Sequence, residues 1–314
     1  MKNVAITGVS GYIGGLLCRR IAQEAAVERI IGIDVRAPSF ESPKFTFIQH
    51  DVSQPFNDIF IKNNIDTAIH LAFIVLPIHD ARKTYQINIG GSNNFLAACA
   101  AGGVKQVFYM GSNTEYGAFK VNPALFTEDM PLNPNPDYPY AVDKARVDLL
   151  FQDFAEKNPE ICVTIGRTAP VTGPRGNACG LTALFLPVMV KAVVRNPAWQ
   201  FIHEDDLAEL AVRLLRQKNN GIYNLAGDGT LTYGEMIKKL RRPCVSLPAR
   251  LLYSGVQITW KLHLQKRSQP GGLAMLLYPI AMSNEKVKKA TGYQPRYTGP
   301  EAFEAFLKAS GGKK

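Results

Sequence analysis

Near its start the chain reads Thr7-Gly8-Val9-Ser10-Gly11-Tyr12-Ile13-Gly14, after a short apolar run, Val4–Thr7, and before a segment of helical spacing, Gly14–Ala26. Three glycines so placed between a strand and a helix restrict the local backbone severely. Gly8 permits a tight turn, Gly11 lets the backbone approach a pyrophosphate, and Gly14 lets the helix pack close to the strand. The helix N-terminus, entered through Tyr12 and Ile13, then stabilises phosphate charge. Asp34 stands 20 residues beyond Gly14, at the end of a second strand-like run, Ile30–Asp34. A carboxylate there accepts both ribose hydroxyls of a dinucleotide and repels a 2′-phosphate, which predicts NAD rather than NADP. Arg36, close by, softens that preference.

Further short runs rich in β-branched and aromatic residues follow at Phe45–His50, Thr67–Leu71, Gln106–Met110 and Ile161–Gly166, with helical spacing at Asn88–Ala101 and Tyr140–Glu156. Alternation of this kind predicts an α/β chain with a Rossmann-type, doubly wound parallel sheet. The boundaries expected are an NAD-binding domain over 1–175, rejoined by later strands at about 199–226, and a smaller, mostly helical C-terminal substrate region over 176–314. Apolar residues at 46% and charged residues at 20% exclude a disordered or fibrous chain. The longest uncharged stretch, Thr84 to Val104, holds three Asn and four Gly and is too polar to span a membrane. Met1-Lys2 leads directly into a strand-like run, so no signal peptide is expected. Five scattered cysteines (18, 99, 162, 179, 244) without a C-x-x-C pair suit a reducing, cytoplasmic setting and no zinc knuckle.

Two Tyr-x-x-x-Lys pairs occur, Tyr116–Lys120 and Tyr140–Lys144. The first contains Gly117 just after a strand, so its members do not share a helix face. The second follows Asp137 and Pro139, which suit a helix start, and its residues lie on one face. The spacing alone carries little, since chance supplies about one such pair in a chain of this composition; its context at a helix start selects Tyr140.

With these residues in place the chain resembles the extended short-chain dehydrogenase/reductase family, in its NAD-dependent epimerase/dehydratase, UDP-glucose 4-epimerase-like group. The resemblance runs in order through Thr7–Gly14, Asp34, Asp51-Val52, His70-Leu71-Ala72, Asn88, Gly111-Ser112 ahead of Tyr116-Gly117, Tyr140 with Lys144, Arg167 through Pro174, His203–Leu207 and Thr291–Pro295. It implies that Asp51 and Val52 flank the adenine and that Leu71, Ala72 and Phe73 line the cofactor. By the same resemblance Asn88 belongs to the cofactor site and Ala169 lies in the loop passing the nicotinamide. It implies that Ser112, Tyr140 and Lys144 are catalytic: a positive Lys144 favours the phenolate of Tyr140, which takes the proton of a substrate hydroxyl while hydride moves to NAD, Lys144 also binds the nicotinamide ribose, and Ser112 holds the substrate oxygen. It further implies a homodimer paired through Asn88–Ala101 and Tyr140–Glu156.

Departures from the family narrow the reaction. The 4,6-dehydratases carry an Asp-Glu pair where this chain has Asn113 and Thr114, so elimination of water is not expected. Glu115, in a strand-like segment, is expected to point to the opposite side. Pro170 replaces an Asn that touches the sugar diphosphate in many epimerases. A nucleotide sugar is the first substrate expected, and a hydrophobic, hydroxysteroid-like secondary alcohol the alternative. A non-catalytic NAD-sensing or RNA-binding relative is a third class; intact Ser112, Tyr140 and Lys144 speak against sensing, and no RNA motif is visible.

His203-Glu204-Asp205-Asp206 reads as an acidic helix start rather than a metal cluster, and His70 as structural; no metal site is expected. Residues 1–229 carry a net charge of −1 and residues 230–314 a net charge of +11. The basic quarter includes a helix-like run, Leu247–Leu264, with Arg250, Lys261, Lys266 and Arg267 near its ends, and an apolar stretch, Leu273–Ile280. Core packing, a lid with a cationic rim over an extended cleft, and a weak peripheral membrane contact are the readings it allows, with no nucleic acid expected.

Overall fold

A computed structural model describes residues 1–176, 187–266 and 268–311. Cys179 and Arg267 lie outside the described residues.

The first half alternates strands and helices: β1 (Asn3–Thr7), α1 (Tyr12–Ala22), β2 (Arg29–Asp34), β3 (Phe45–Gln49), α2 (Asn57–Lys62) and β4 (Thr67–His70). Next come α3 (Ala81–Tyr85), a π-helical turn (Gln86–Gly90), α4 (Gly91–Ala101), β5 (Gln106–Ser112), a 3-10 turn (Asn113–Tyr116), α5 (Pro139–Lys157) and β6 (Cys162–Thr168). The helix expected from Asn88 thus begins earlier and passes through a π turn. The strand expected to end at Met110 continues to Ser112.

The later chain holds β7 (Val171–Thr172), β8 (Met189–Ala192), β9 (Ala198–Trp199), β10 (Ile202–His203), α6 (Glu204–Arg216), β11 (Gly221–Leu225), β12 (Leu231–Thr232) and α7 (Tyr233–Leu240). It closes with β13 (Cys244–Leu247), α8 (Ala249–Lys261), a 3-10 segment (Pro270–Leu276), α9 (Glu285–Thr291) and α10 (Gly299–Gly311). Leu247 therefore belongs to a strand, and Pro248 caps a helix shorter than the Leu247–Leu264 run suggests. Short two-stranded sheets, β13 with β8 and β12 with β9, add to the helices there.

Seven parallel strands form the central sheet in the order β11-β6-β5-β4-β1-β2-β3. Parallel strands need crossovers, and the crossovers cover both faces. On one face α1 and α6 bury Leu17, Ile21, Leu210 and Leu214 against Ile6 and Phe108. On the other, α2, α4 and α5 bury Phe60, Phe95 and Phe151 against Ala5, Ile31 and Tyr109. The sheet order reverses between β1 and β4, and a crevice at such a reversal is where open α/β sheets bind ligands.

Candidate active site

The turn after β1 has the geometry its glycines require. Gly8 has φ +74°, and a Cβ there would stand 2.7 Å from the Ala72 nitrogen. At Gly14 a Cβ would meet the Gly8 carbonyl oxygen at 2.2 Å, so only glycine lets α1 start this close to β1. The first turn of α1 holds no acidic residue, which leaves its positive end free for an anion. Tyr12, at that end, donates its hydroxyl to Glu204, tying the turn to α6. Ile13 packs against the core beside it. Asp34 closes β2 next to the turn and accepts from the Ser10 N–H at 3.1 Å.

Asp51 is exposed and caps the bend after β3 through the Ser53 N–H at 2.9 Å, while Val52 is buried against Gly91. The segment Leu71–Phe73 is anchored by a relay. The Ser92 hydroxyl donates to the Asn88 carbonyl at 2.6 Å, so His70 Nε2 carries the proton given to Ser92 at 3.0 Å. His70 Nδ1 then accepts the Thr7 hydroxyl at 2.8 Å, and Thr7 Oγ1 receives the Ala72 N–H at 3.4 Å. Burial and neighbouring Lys144 push the His70 pKa down to about 3, so the ring stays neutral, a structural residue as expected. Asn88 is buried with both amide ends engaged, by the Ile74 N–H at 2.9 Å and by Asp143 at 3.1 Å.

Tyr140 and Lys144 share one face of α5, which Pro139 starts. They meet at Phe73. The rings of Tyr140 and Phe73 stand edge to face at 5.8 Å, and Lys144 Nζ lies 4.0 Å from the centre of the Phe73 ring. Lys144 donates to the Met110 carbonyl at 2.7 Å, two residues before Ser112 on β5. Burial lowers the Lys144 pKa to about 8, against the raising influence of Glu115 and Asp148. Ser112 closes β5 with its hydroxyl 2.9 Å from Thr114 Oγ1. Ala169 is fully buried just after β6. Tyr116 behaves differently from Tyr140: its hydroxyl donates to Asn224 at 2.8 Å and receives Arg167 at 2.9 Å, so it is spent in the core.

Glu115 corrects an expectation. The segment 113–116 is a 3-10 turn, not strand, so the side chain folds back and Oε1 accepts the Ser112 N–H at 2.7 Å. Its carboxyl is fully buried beside Arg167, with Oε2 at 3.6 Å from Nε. Arg167 in turn forms a two-point ion pair with buried Asp148 at 2.9 and 3.1 Å. Burial first, then Asp148, pushes the Glu115 pKa well above the usual carboxylate range. Sequence reasoning missed this group. Its only signal was an acid, Glu115, one residue before Tyr116 in an apolar setting.

His203 caps α6 by accepting the Asp205 N–H at 3.2 Å, so the acidic run is a helix start. Among the described residues no group of His, Cys, Asp or Glu has the arrangement of a metal site, and no helix is long and apolar enough to cross a membrane.

Residues 4–226 match the family model described as the NAD dependent epimerase/dehydratase family. The chain belongs to that family. Its members are NAD-dependent enzymes of the extended short-chain dehydrogenase/reductase type, and NAD is its cofactor; the Gly8–Gly14 cradle fits that group. An uncharacterized protein of Mycobacterium tuberculosis is 26% identical over 318 residues, covering 99% of this chain and 84% of the relative. A UDP-glucose 4-epimerase of Neisseria meningitidis is 28% identical over 172 residues, 51% of this chain and 50% of the relative. The fold is shared with a Thermus thermophilus UDP-glucose 4-epimerase solved with NAD, at TM-score 0.78 and 18% identity, covering 99% of this chain and 100% of that one.

Proposed function

We propose that the protein oxidises and re-reduces a secondary alcohol, with Tyr140 as acid/base, Lys144 as its electrostatic support and Ser112 as the hydroxyl that holds the substrate oxygen. The observation that carries this reading is the meeting of Tyr140 and Lys144 at Phe73, with Lys144 bonded to the strand that ends in Ser112. Bound NAD supplies a hydride acceptor. Gly8, Gly11 and Gly14 with the N-terminus of α1 hold its pyrophosphate, and Asp34 accepts from its adenosine ribose. Lys144, cationic below about pH 8, favours the Tyr140 phenolate, and Ser112 donates to the substrate oxygen. Residues 1–175 with 199–226 serve the cofactor, and the rest of 176–314 serves the substrate.

The substrate read first is a nucleotide sugar, supported by the UDP-glucose 4-epimerases among the relatives. A hydrophobic alcohol is the second reading, because a cavity of about 220 Å³ adjoins the start of α5 and is lined by Ala118, Phe119, Leu252, Tyr253, Leu273 and Leu277. Product formation, whether epimer or ketone with reduced NAD, from a panel of UDP-sugars and of hydroxysteroids separates them. Turnover confined to steroids overturns the first reading, and turnover with neither overturns both.

The reading includes a cytoplasmic setting, supported by the free thiols of Cys18, Cys99, Cys162 and Cys244. It includes a homodimer through α4 and α5, whose outer faces carry exposed Ala97, Ala100 and Leu149. Light scattering that finds a monomer at micromolar concentration contradicts the dimer. A weak contact of the basic last quarter with a membrane belongs to the same reading.

A further inference from the structure

Between Glu235 and Glu285 the chain contains eight Lys and Arg and not one Asp or Glu. At the centre of this stretch stands α8, in which no residue is buried although it is rich in Leu, Ile and aromatic side chains. Its two faces differ. Ala249, Leu252 and Tyr253 line the cavity beside α5, and Trp260 stacks on His79 at 3.9 Å. On the opposite face Leu251, Ile258 and Leu262, spaced seven and four apart, are 61%, 56% and 63% exposed, and Leu264 just beyond is 71% exposed. Arg250 and Lys261 run along one edge of that stripe, both exposed, and exposed Lys266 lies beyond its end.

We propose that the outer face of α8 docks on an anionic lipid bilayer, with Leu251, Ile258, Leu262 and Leu264 entering the headgroup boundary and Arg250, Lys261 and Lys266 over the lipid phosphates. Aliphatic side chains on a helix rimmed by cations lie in the plane of such an interface. The absence of any acid across the whole stretch fits a partner that is negative everywhere, as a lipid surface is. Single-stranded RNA is read by stacked aromatic rings, whereas the outer stripe is aliphatic and Trp260 and Tyr253 face inward. Docked in this way, α8 holds the cavity next to α5 within reach of an amphiphilic substrate. The inference deepens the membrane contact read above and does not depend on which alcohol is turned over.

Flotation of the full-length protein with vesicles of phosphatidylcholine alone, and of phosphatidylcholine with phosphatidylglycerol, tests it. Binding is expected only to the anionic vesicles and is expected to weaken as salt rises. Arg250→Gln and Lys261→Gln should each weaken it about fivefold, the equivalent of ~1 kcal/mol per basic residue at the surface. Ile258→Ser with Leu262→Ser should weaken it further while leaving Tm and NAD binding unchanged, since both side chains are already exposed. No flotation with anionic vesicles overturns the proposal, as does equal binding to neutral ones or binding indifferent to all four substitutions. If the Ile258→Ser, Leu262→Ser protein instead turns from dimer to monomer, the face belongs to a second copy; if RNA competes the vesicles away, it belongs to RNA. NAD binding by the same samples reports on the enzymatic reading separately.

Discussion

The sheet half and the basic last quarter of this chain solve opposite problems. From β1 to β6 the important charges are buried and matched: Arg167 with Asp148, Glu115 beside them with its pKa raised by burial, Lys144 against a carbonyl. Between Glu235 on α7 and Glu285 on α9 the charge is of one sign, and the apolar side chains are shared between a cavity and the surface. The first arrangement fixes atoms to within a rotamer, as hydride transfer requires. The second fixes little by itself and leaves shape and charge free to suit a partner. Cofactor chemistry is therefore written in backbone geometry, and partner choice in surface composition.

The largest expected difference between the halves concerns ion pairs. Asp148→Ala removes the two-point partner of the Arg167 guanidinium, 2% exposed, and should cost about 3–5 kcal/mol of stability by denaturant unfolding. Glu304→Ala, which removes a pair with Lys239 between α10 and α7, should leave stability unchanged. Equal losses would erase the distinction.

Asp34→Ser comes next. Losing charged hydrogen bonds to ribose should weaken NAD binding by about 1.5–3 kcal/mol and narrow the gap to NADP, as read by dissociation constants. An unaltered protein that favours NADP contradicts the assignment of Asp34.

The same substitution at two glycines sharpens the contrast further. Gly14→Ala drives a Cβ into the Gly8 carbonyl and should destabilise by about 1–3 kcal/mol, with NAD affinity lost. Gly255→Ala on α8 meets nothing within 4 Å and should stabilise by about 0.5–1 kcal/mol.

The smallest effect is on pH dependence. A carboxyl whose pKa is raised in the folded state contributes stability that is complete below its ordinary value of 4.5 and is lost as pH rises through the folded value. Glu115→Gln keeps an acceptor for the Ser112 N–H but does not titrate. The variant should gain in Tm relative to the parent as pH rises above 4.5, and a constant offset contradicts a raised pKa at Glu115.

Much of the sheet half was legible in the sequence because its determinants are local. The glycine turn, the period of each strand and the Tyr140–Lys144 spacing all lie within a few residues of one another. The buried network was not legible, since Asp148 and Arg167 are 19 residues apart and meet only when α5 packs on β6. Glu115 misled for a related reason: Ser112 ends the strand and starts a 3-10 turn, which reverses the side-chain direction that a continuing strand imposes. In the last quarter, Pro248 divides an apolar run into β13 and α8, a break that hydrophobic spacing alone does not show.

The central claim is that one tyrosine, Tyr140, moves the proton. Tyr140→Phe deletes only a hydroxyl on a half-buried ring, while Tyr116→Phe deletes one spent on Arg167 and Asn224. With a substrate from the panel above, the direct measurement is kcat for both variants alongside NAD affinity. Tyr140→Phe should bind NAD normally and lose ~10²–10⁴-fold in kcat, with Tyr116→Phe close to the parent enzyme. Full activity in Tyr140→Phe, or equal losses in the two, would contradict the account.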